Sequence, residues 1–388
     1  MVRRLLVVVS ALSLLTVAAC GSGSGSGSGG SGKDKTVTVG YMANLTGAAG
    51  GEYGTPFSRG LQMGLNEVKS SGYLKNRGLS VDLQTTDVAS LVPNAVTAFN
   101  KFAQAGVPIT ISDSLSPISL AVAPLANNKK VTLISGAGSK LPNPDGYAFH
   151  LVDLVTPMRS LGKQMQADGV KRVAVILDGD NPSFKTLADA MTEGFTSAGG
   201  VAPVITQTIS ASATDVSSVL TNVSAQHPDA VFISSLPQQA GNVVAQLKQV
   251  QGLSSAKLYG SISWGAQTYE IAKKDVVGAV FAQEWAPGAT ATAEFEKAYQ
   301  SKYGDTPAAY SALGYQTAWL IAVAINQAAG KGAVNGTTIR DNVPSASTSS
   351  DLKEHGVMPE FAIAKDGATS YTGTLTTFTS TGALTKTQ

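Results

Sequence analysis

Two short hydroxyl-rich segments hold most of the chemistry this sequence offers, Ser112-Asp113-Ser114-Leu115-Ser116 and Ser135-Gly136-Ala137-Gly138-Ser139. Small residues let backbone N–H groups come close to a ligand and serine hydroxyls add further hydrogen bonds, a set that can hold an anion. The same residue types also build plain turns. Catalytic readings fare worse. Gly138-Ser139-Lys140 ends like a phosphate-binding loop, but the glycine needed five residues earlier is Leu133. No Gly-x-Ser-x-Gly elbow occurs, and Ser350-x-x-Lys353 lacks its Ser-Asp-Asn and Lys-Thr-Gly companions. The only histidines are His150, His227 and His355, none in a His-Glu-x-x-His array, so no metal, cofactor or enzymatic activity is expected.

The one cysteine, Cys20, follows Arg3 and Arg4, an apolar stretch from Leu5 to Val17, and the small pair Ala18-Ala19. That order is a secretory signal over residues 1–19, too short for a settled membrane span. Val17-Ala18-Ala19-Cys20 resembles the lipobox of bacterial lipoproteins, which implies that Cys20 carries a lipid and becomes the new N-terminus. A simple signal peptide with an incidental cysteine is the other reading. Residues 20–35, mostly Gly and Ser, then form a flexible tether with about 20 Å of reach. A run so regular is also what an artificial linker looks like.

About 355 residues follow the signal and tether, enough for two domains. The net charge is only +2, with no long basic run, so a nucleic-acid partner is not expected. After Cys20 the longest apolar run, Ala318 to Ile325, is eight residues, which leaves the lipid as the only membrane attachment. A lone cysteine allows no internal disulfide, so stability must come from packed cores.

The pattern along the chain is a strand-like run followed by a helical one, repeated. Strands are expected at 35–42, 79–85, 107–111, 131–135, 172–177, 204–209, 230–234, 258–261 and 276–283. Helical patterns lie between them, as at 92–105, 183–198, 216–225 and 240–250. This alternation means parallel sheets with helices on both faces. Helices at 294–303 and 308–329 then follow one another directly, and strands are expected at 360–364 and 372–378. Lapses of periodicity, or proline, place three crossings between lobes near 149–155, 283–287 and 354–359.

Several landmarks now carry a resemblance: Val39-Gly40 with Leu45-Thr46-Gly47 and Glu52-Tyr53-Gly54; Ser116 before Ala121-Val122-Ala123-Pro124-Leu125-Ala126; Leu133-Ile134-Ser135; Arg172-Val173-Ala174-Val175; His227-Pro228-Asp229-Ala230-Val231; and Tyr303-Gly304 leading to Ala308 through Tyr315. From about Val37 to Lys386 the chain resembles the type I periplasmic binding proteins of the leucine/isoleucine/valine group, which feed ABC importers. The resemblance implies an α/β protein of two doubly wound, Rossmann-like lobes joined by a three-segment hinge. Residues 36–152 with 286–356 would form lobe 1, and 153–285 with 357–388 lobe 2. It also implies a monomer on the outer face of the cytoplasmic membrane or in the periplasm, closing on a small solute and passing it to a permease with ATPase subunits. A sensor that reports the same closure to a membrane receptor is the rival role.

In doubly wound sheets, ligands sit beyond the carboxyl ends of the strands. By the resemblance, Ser116, Ala137 and Ser139 hold a ligand carboxylate with Tyr53 packed over it, and Ser114 and Gly138 stand beside them. In the second lobe Phe184, Leu236 and the Ser263-Trp264 loop face the solute. The loop Ser261-Ile262-Ser263-Trp264 lacks the acidic residue that amino-acid binders of this group place there. A desolvated ammonium without a counter-charge is costly. Two readings follow: Asp113 supplies the charge, or Tyr53, Phe184 and Trp264 line an apolar pocket for an aromatic, aliphatic or amide-like solute, including a carboxylate without an amine. Phe184 and Trp264 as plain core packing is the third.

Overall fold

The computed structural model describes residues 34–387, apart from 48, 144, 211, 290, 291 and 359. Cys20, the expected signal and the tether to residue 33 lie outside them. The body opens with five strands, β1 (Lys35–Ala43), β2 (Leu79–Asp87), β3 (Ile109–Ser112), β4 (Thr132–Ser135) and β5 (Ala148–His150). They pair in the order β2-β1-β3-β4-β5, all parallel. The crossovers are α1 (Thr55–Ser71), α2 (Val92–Gln104) and α3 (Ser116–Lys129).

After α4 (Thr156–Ala167) a second sheet repeats the plan with β6 (Val173–Asp178), β7 (Ile205–Ile209), β8 (Ala230–Ser234), β9 (Lys257–Gly260) and β10 (Val280–Gln283). Their order is β7-β6-β8-β9-β10, again parallel. Between them run α5 (Pro182–Ser197), α6 (Ser217–Ser224), α7 (Pro237–Leu247) and α8 (Ala266–Ala272). Every residue of Val173–Asp178 and of Ala230–Ser234 is buried, because helices cover both faces of the sheet. Such strands read as continuous apolar runs, and that is how they stand in the sequence.

The chain then makes α9 (Ala293–Tyr303), α10 (Ala309–Gly330), α11 (Gly336–Ser347) and α12 (Ser350–His355). A two-stranded ribbon, β11 (Ala362–Ile363) with β12 (Thr369–Ser370), follows. The chain ends in β13 (Thr374–Phe378) and β14 (Leu384–Lys386), which add antiparallel to β10. Helix α10 is apolar nearly all round because it lies between α1 and α11 inside the first core. It meets α1 backbone to backbone: a Cβ on Gly60 would stand 1.9 Å from the Ser311 carbonyl oxygen. Among the described residues no helix is long and apolar enough to cross a membrane.

Two crossings between the sheets fall at 151–155, between β5 and α4, and after Gln283, between β10 and α9. The third departs from the expected position at 354–359. Val357, Met358, Phe361, Ile363 and Tyr371 all bury in the first core with Phe149 and Trp319, and the chain joins the second sheet only at Thr374. Ile363 and the stacked rings of Phe361 and Tyr371 beside the ribbon are buried there, so the stretch assigned to lobe 2 from residue 357 packs with the first lobe through Tyr371.

Candidate functional site

Each sheet reverses its order beside its first strand, at β1/β3 and at β6/β8, and loops leaving the carboxyl ends of both sheets face one cleft of about 980 Å³. From the first lobe come Tyr53, Ser114, Leu115, Ser116, Gly138 and Ser139. The second lobe adds Phe184, Ile262, Ser263 and Trp264. The expected residues thus meet, apart from two. Ala137 is 1% exposed and stands behind the lining, its N–H bound to Ser135 Oγ at 3.1 Å. Leu236 is 49% exposed at the start of α7 and does not line the cleft. The Ser263 hydroxyl donates to the Ser235 carbonyl at 2.7 Å, so Ser263 lies between this segment and the cleft.

The two serine loops touch: Ser139 N–H donates to Ser116 Oγ at 3.3 Å. Ser116 opens α3 just after Leu115, which is held at φ 51°, an uncommon backbone state for a leucine. Ser114 borders the cleft, but its hydroxyl is already committed, donating to Asp113 Oδ1 at 2.9 Å and accepting from Asn44 Nδ2 at 3.2 Å. On the facing lobe α5 begins at the cleft with Asn181 capping Ser183 N–H at 3.0 Å. Residues 306–310, at the start of α10, complete the wall. Helix starts that converge on one space favour a ligand's negative end.

Trp264 is mainly a core residue. It is 1% exposed, packs 5.8 Å from Phe281 between ring centroids, and borders the cleft. A Cβ on Gly260 would fall 2.2 Å from the indole, so glycine there makes room for it. Phe184 is likewise 4% exposed and belongs to the same lobe's core while bordering the cleft. The 262–264 loop is held by Gln283, whose amide donates to the carbonyls of Ile262 (3.2 Å) and Trp264 (2.7 Å).

Asp113 does not supply charge to the cleft. It is fully buried behind Ser114, where its carboxylate accepts from Tyr41 Oη (2.8 Å), Asn44 N–H (2.8 Å), Asn44 Nδ2 (2.5 Å) and Ser114 Oγ. The acids at the cleft are Glu52 and Glu284, and none of the described lining residues is Lys, Arg or His. Glu52 reaches across from the first lobe: a Cβ on Gly265 would stand 3.8 Å from its Oε1. Partial desolvation raises its carboxyl.

Glu284 follows β10 directly in the second crossing. Burial pushes its carboxyl up to about 7, its own backbone N–H acting the other way. It lies close enough to Tyr53, Tyr310 and Tyr371 to help raise all three hydroxyls, after burial itself. Tyr53 and Tyr310 pack edge to face at 4.8 Å, and Tyr310 Oη donates to the Gly136 carbonyl at 3.3 Å. No run or spacing singles out a lone acid at a strand end, which is why Glu284 passes unnoticed in the sequence.

A carboxyl raised in the folded state keeps a proton that the unfolded chain releases, so this group's contribution to stability falls as pH rises from about 4.5 to 7. Ionised, it burdens the ligand-free protein by on the order of 2–3 kcal/mol, allowing for water in the cleft. Glu284→Gln is expected to melt a few degrees above the native protein at pH 8 and level with it at pH 4. Equal melting at pH 8 would show that the carboxyl is not desolvated.

A family model described as periplasmic binding protein matches residues 36–383. The chain belongs to that family. This periplasmic binding protein is 25% identical over 222 residues to the Leu/Ile/Val-binding protein BraC3 of Rhizobium johnstonii, a match spanning 54% of the chain and 58% of the relative. Solved structures share its fold. The substrate-binding protein LivJ of Streptococcus pneumoniae, in complex with isoleucine, has a TM-score of 0.71 at 21% identity, covering 91% of this chain and 100% of that one. The leucine-binding protein LivK of Thermotoga maritima gives 0.69 at 20%, with coverages of 91% and 98%. A solute-binding protein of R. palustris in complex with benzoate gives 0.67 at 17%, with coverages of 90% and 95%. The family binds solutes and is not catalytic, and among the described residues no group of three or more His, Cys, Asp or Glu is placed to hold a metal ion.

Proposed function

We propose that this periplasmic binding protein is the extracytoplasmic solute-binding component of an ABC importer of the branched-chain amino acid group, anchored through Cys20. As a monomer it captures a small amino-acid-like solute by closure of its two lobes and passes it to a permease served by ATPase subunits. The observation that carries this reading is the cleft itself, in which loops from the carboxyl ends of both sheets face each other across the crossings. Closure requires the solute to contact both lobes, because a ligand moves an equilibrium only by binding one state better. Ser116 at the start of α3 and Ser139 in the loop after β4 offer donors to a carboxylate, while Phe184, Leu187 and Trp285 offer apolar contact to a short side chain.

A second reading, a carboxylate without an amine, is favoured by the acid-free Ser261–Trp264 loop. Thermal-shift screening against branched and aromatic amino acids, their des-amino carboxylates, simple amines, amides and sugars separates the two. A compound at 100 times its Kd adds about 2.7 kcal/mol of stability, a clear rise in Tm. Stabilisation by an amino acid supports the first reading and stabilisation by des-amino acids alone the second. No shift with any class would remove the small-solute role.

A further inference from the structure

The cleft has an electrostatic asymmetry that the serine loops do not explain. Glu52 and Glu284 border it, no cation does among the described residues, and Glu284 takes part in none of the ion pairs formed by the described residues. Glu284 is half-buried at the cleft wall, and a partly desolvated carboxylate with no counter-ion opposes folding and is a candidate for a functional group. Its surroundings bring no positive charge: the groups that feel it are the hydroxyls of Tyr53, Tyr310 and Tyr371, with Glu52, Asp113 and Asp153 beyond them. The facing edge-to-face pair of Tyr53 and Tyr310 adds π-faces that attract cations.

We propose that Glu284 is the counter-charge for a cationic nitrogen on the solute, taking the part that the Ser261–Trp264 loop leaves unfilled, and that it selects amine-bearing solutes over their des-amino analogues. This deepens the solute-binding reading and rests on it. The position also ties the solute to the hinge. Gln283, the preceding residue, holds the 262–264 loop by two hydrogen bonds, so a ligand drawn onto Glu284 engages the crossing and the second-lobe loop together.

Proton balance follows from the charge. A protonated Glu284 meets a cationic amine, its proton leaves to solvent, and a carboxylate–ammonium pair remains. With the free carboxyl at about 7, roughly a tenth is ionised at pH 6 and nine-tenths at pH 8, so amine affinity rises about tenfold across that interval. Glu52 is the other carboxyl at the cleft, and a variant at Glu284 alone separates the two.

The test uses the full chain and three probes with one carbon skeleton: leucine, 4-methylpentanoate, which lacks the amine, and 3-methylbutylamine, which lacks the carboxylate. Calorimetry at pH 6 and 8, in buffers of different ionisation enthalpy, reads affinity and proton release. Leucine or the amine is expected to bind about tenfold more tightly at pH 8 than at pH 6, with close to one proton released at pH 6 and only about a tenth at pH 8, and Glu284→Gln to remove both effects while binding the des-amino acid at least as well as the native protein. Melting at pH 8 checks that the variant is folded. Tighter native binding of 4-methylpentanoate than of leucine at pH 8, or an unchanged leucine profile in Glu284→Gln, overturns the proposal. If across the wider screen only compounds without a basic nitrogen bind, this inference falls and solute capture stands; if none binds, both fall.

Discussion

Asp113→Ala is expected to cost about 3–5 kcal/mol and to abolish solute binding, the largest single effect of any side-chain removal near the cleft. The carboxylate accepts four hydrogen bonds from three residues, Tyr41 in β1, Asn44 just after it and Ser114 after β3, with no exposure to water. Burial nevertheless outweighs those bonds and raises the carboxyl above its usual range. The cluster is therefore no large net source of stability. The cost arises from the other side of the asymmetry: with the acceptor gone, buried donors lose their partner and cannot reach water. Of a typical stability of 5–15 kcal/mol, that is a large share. Tyr41→Phe, which removes one donor and leaves the acid three others, is expected to cost only about 1 kcal/mol. Denaturant unfolding of both variants checks the argument, and an Asp113→Ala variant within 1 kcal/mol of the native protein would show that the donors find other partners.

The same residue shows where sequence reading reaches its limit. Asp113 stands in a loop that was bound to approach the ligand, and as a charge in a serine-rich turn it reads equally well as a solute contact. Only the packing of β1 against β3 decides that it faces inward. Repetition of strand and helix is legible because interior parallel strands such as Val173–Asp178 are apolar up to their last residue and their helices carry one-sided patterns. Helix α11 is not legible in that way: its sequence GTTIRDNVPSAS is rich in Thr, Ser and Asn, includes Pro344, and is held by an Asn335 cap and by packing on α10 rather than by propensity. Strand β5 has three residues and depends on pairing with β4. At the cleft, Ser116, Ser139, Phe184 and Ser263 meet as their places just beyond the strand ends suggest, whereas Leu236 sits at an equivalent-looking place that ends short of the cleft. Glu284 escapes because its significance lies in what surrounds it.

Gly136→Ala should reduce solute affinity by more than 100-fold, although the added group is a single methyl. Gly136 stands where three elements meet. Its N–H donates to the Ser112 carbonyl at 2.7 Å, its own carbonyl accepts from Tyr310, and a Cβ would fall 1.9 Å from the Asp113 carbonyl oxygen and 2.7 Å from its carbon. The obstructing atoms are backbone, so the loops after β3 and β4 must move apart by an ångström or more. Ser116 and Ser139, joined across the same gap by a 3.3 Å hydrogen bond, then lose their common geometry. Overpacking of this kind costs about 1–3 kcal/mol in stability, which leaves a folded protein with a misaligned cleft. Gly138→Ala is the matched control, because its Cβ would meet the Leu154 side chain, 2.9 Å away at the nearest atom, and that side chain can turn aside. Calorimetric affinity for the best-binding compound of the screen is expected to fall steeply in Gly136→Ala and within tenfold in Gly138→Ala. Equal losses would mean that crowding anywhere in this loop suffices, and the close approach of the two backbones would no longer account for the glycine.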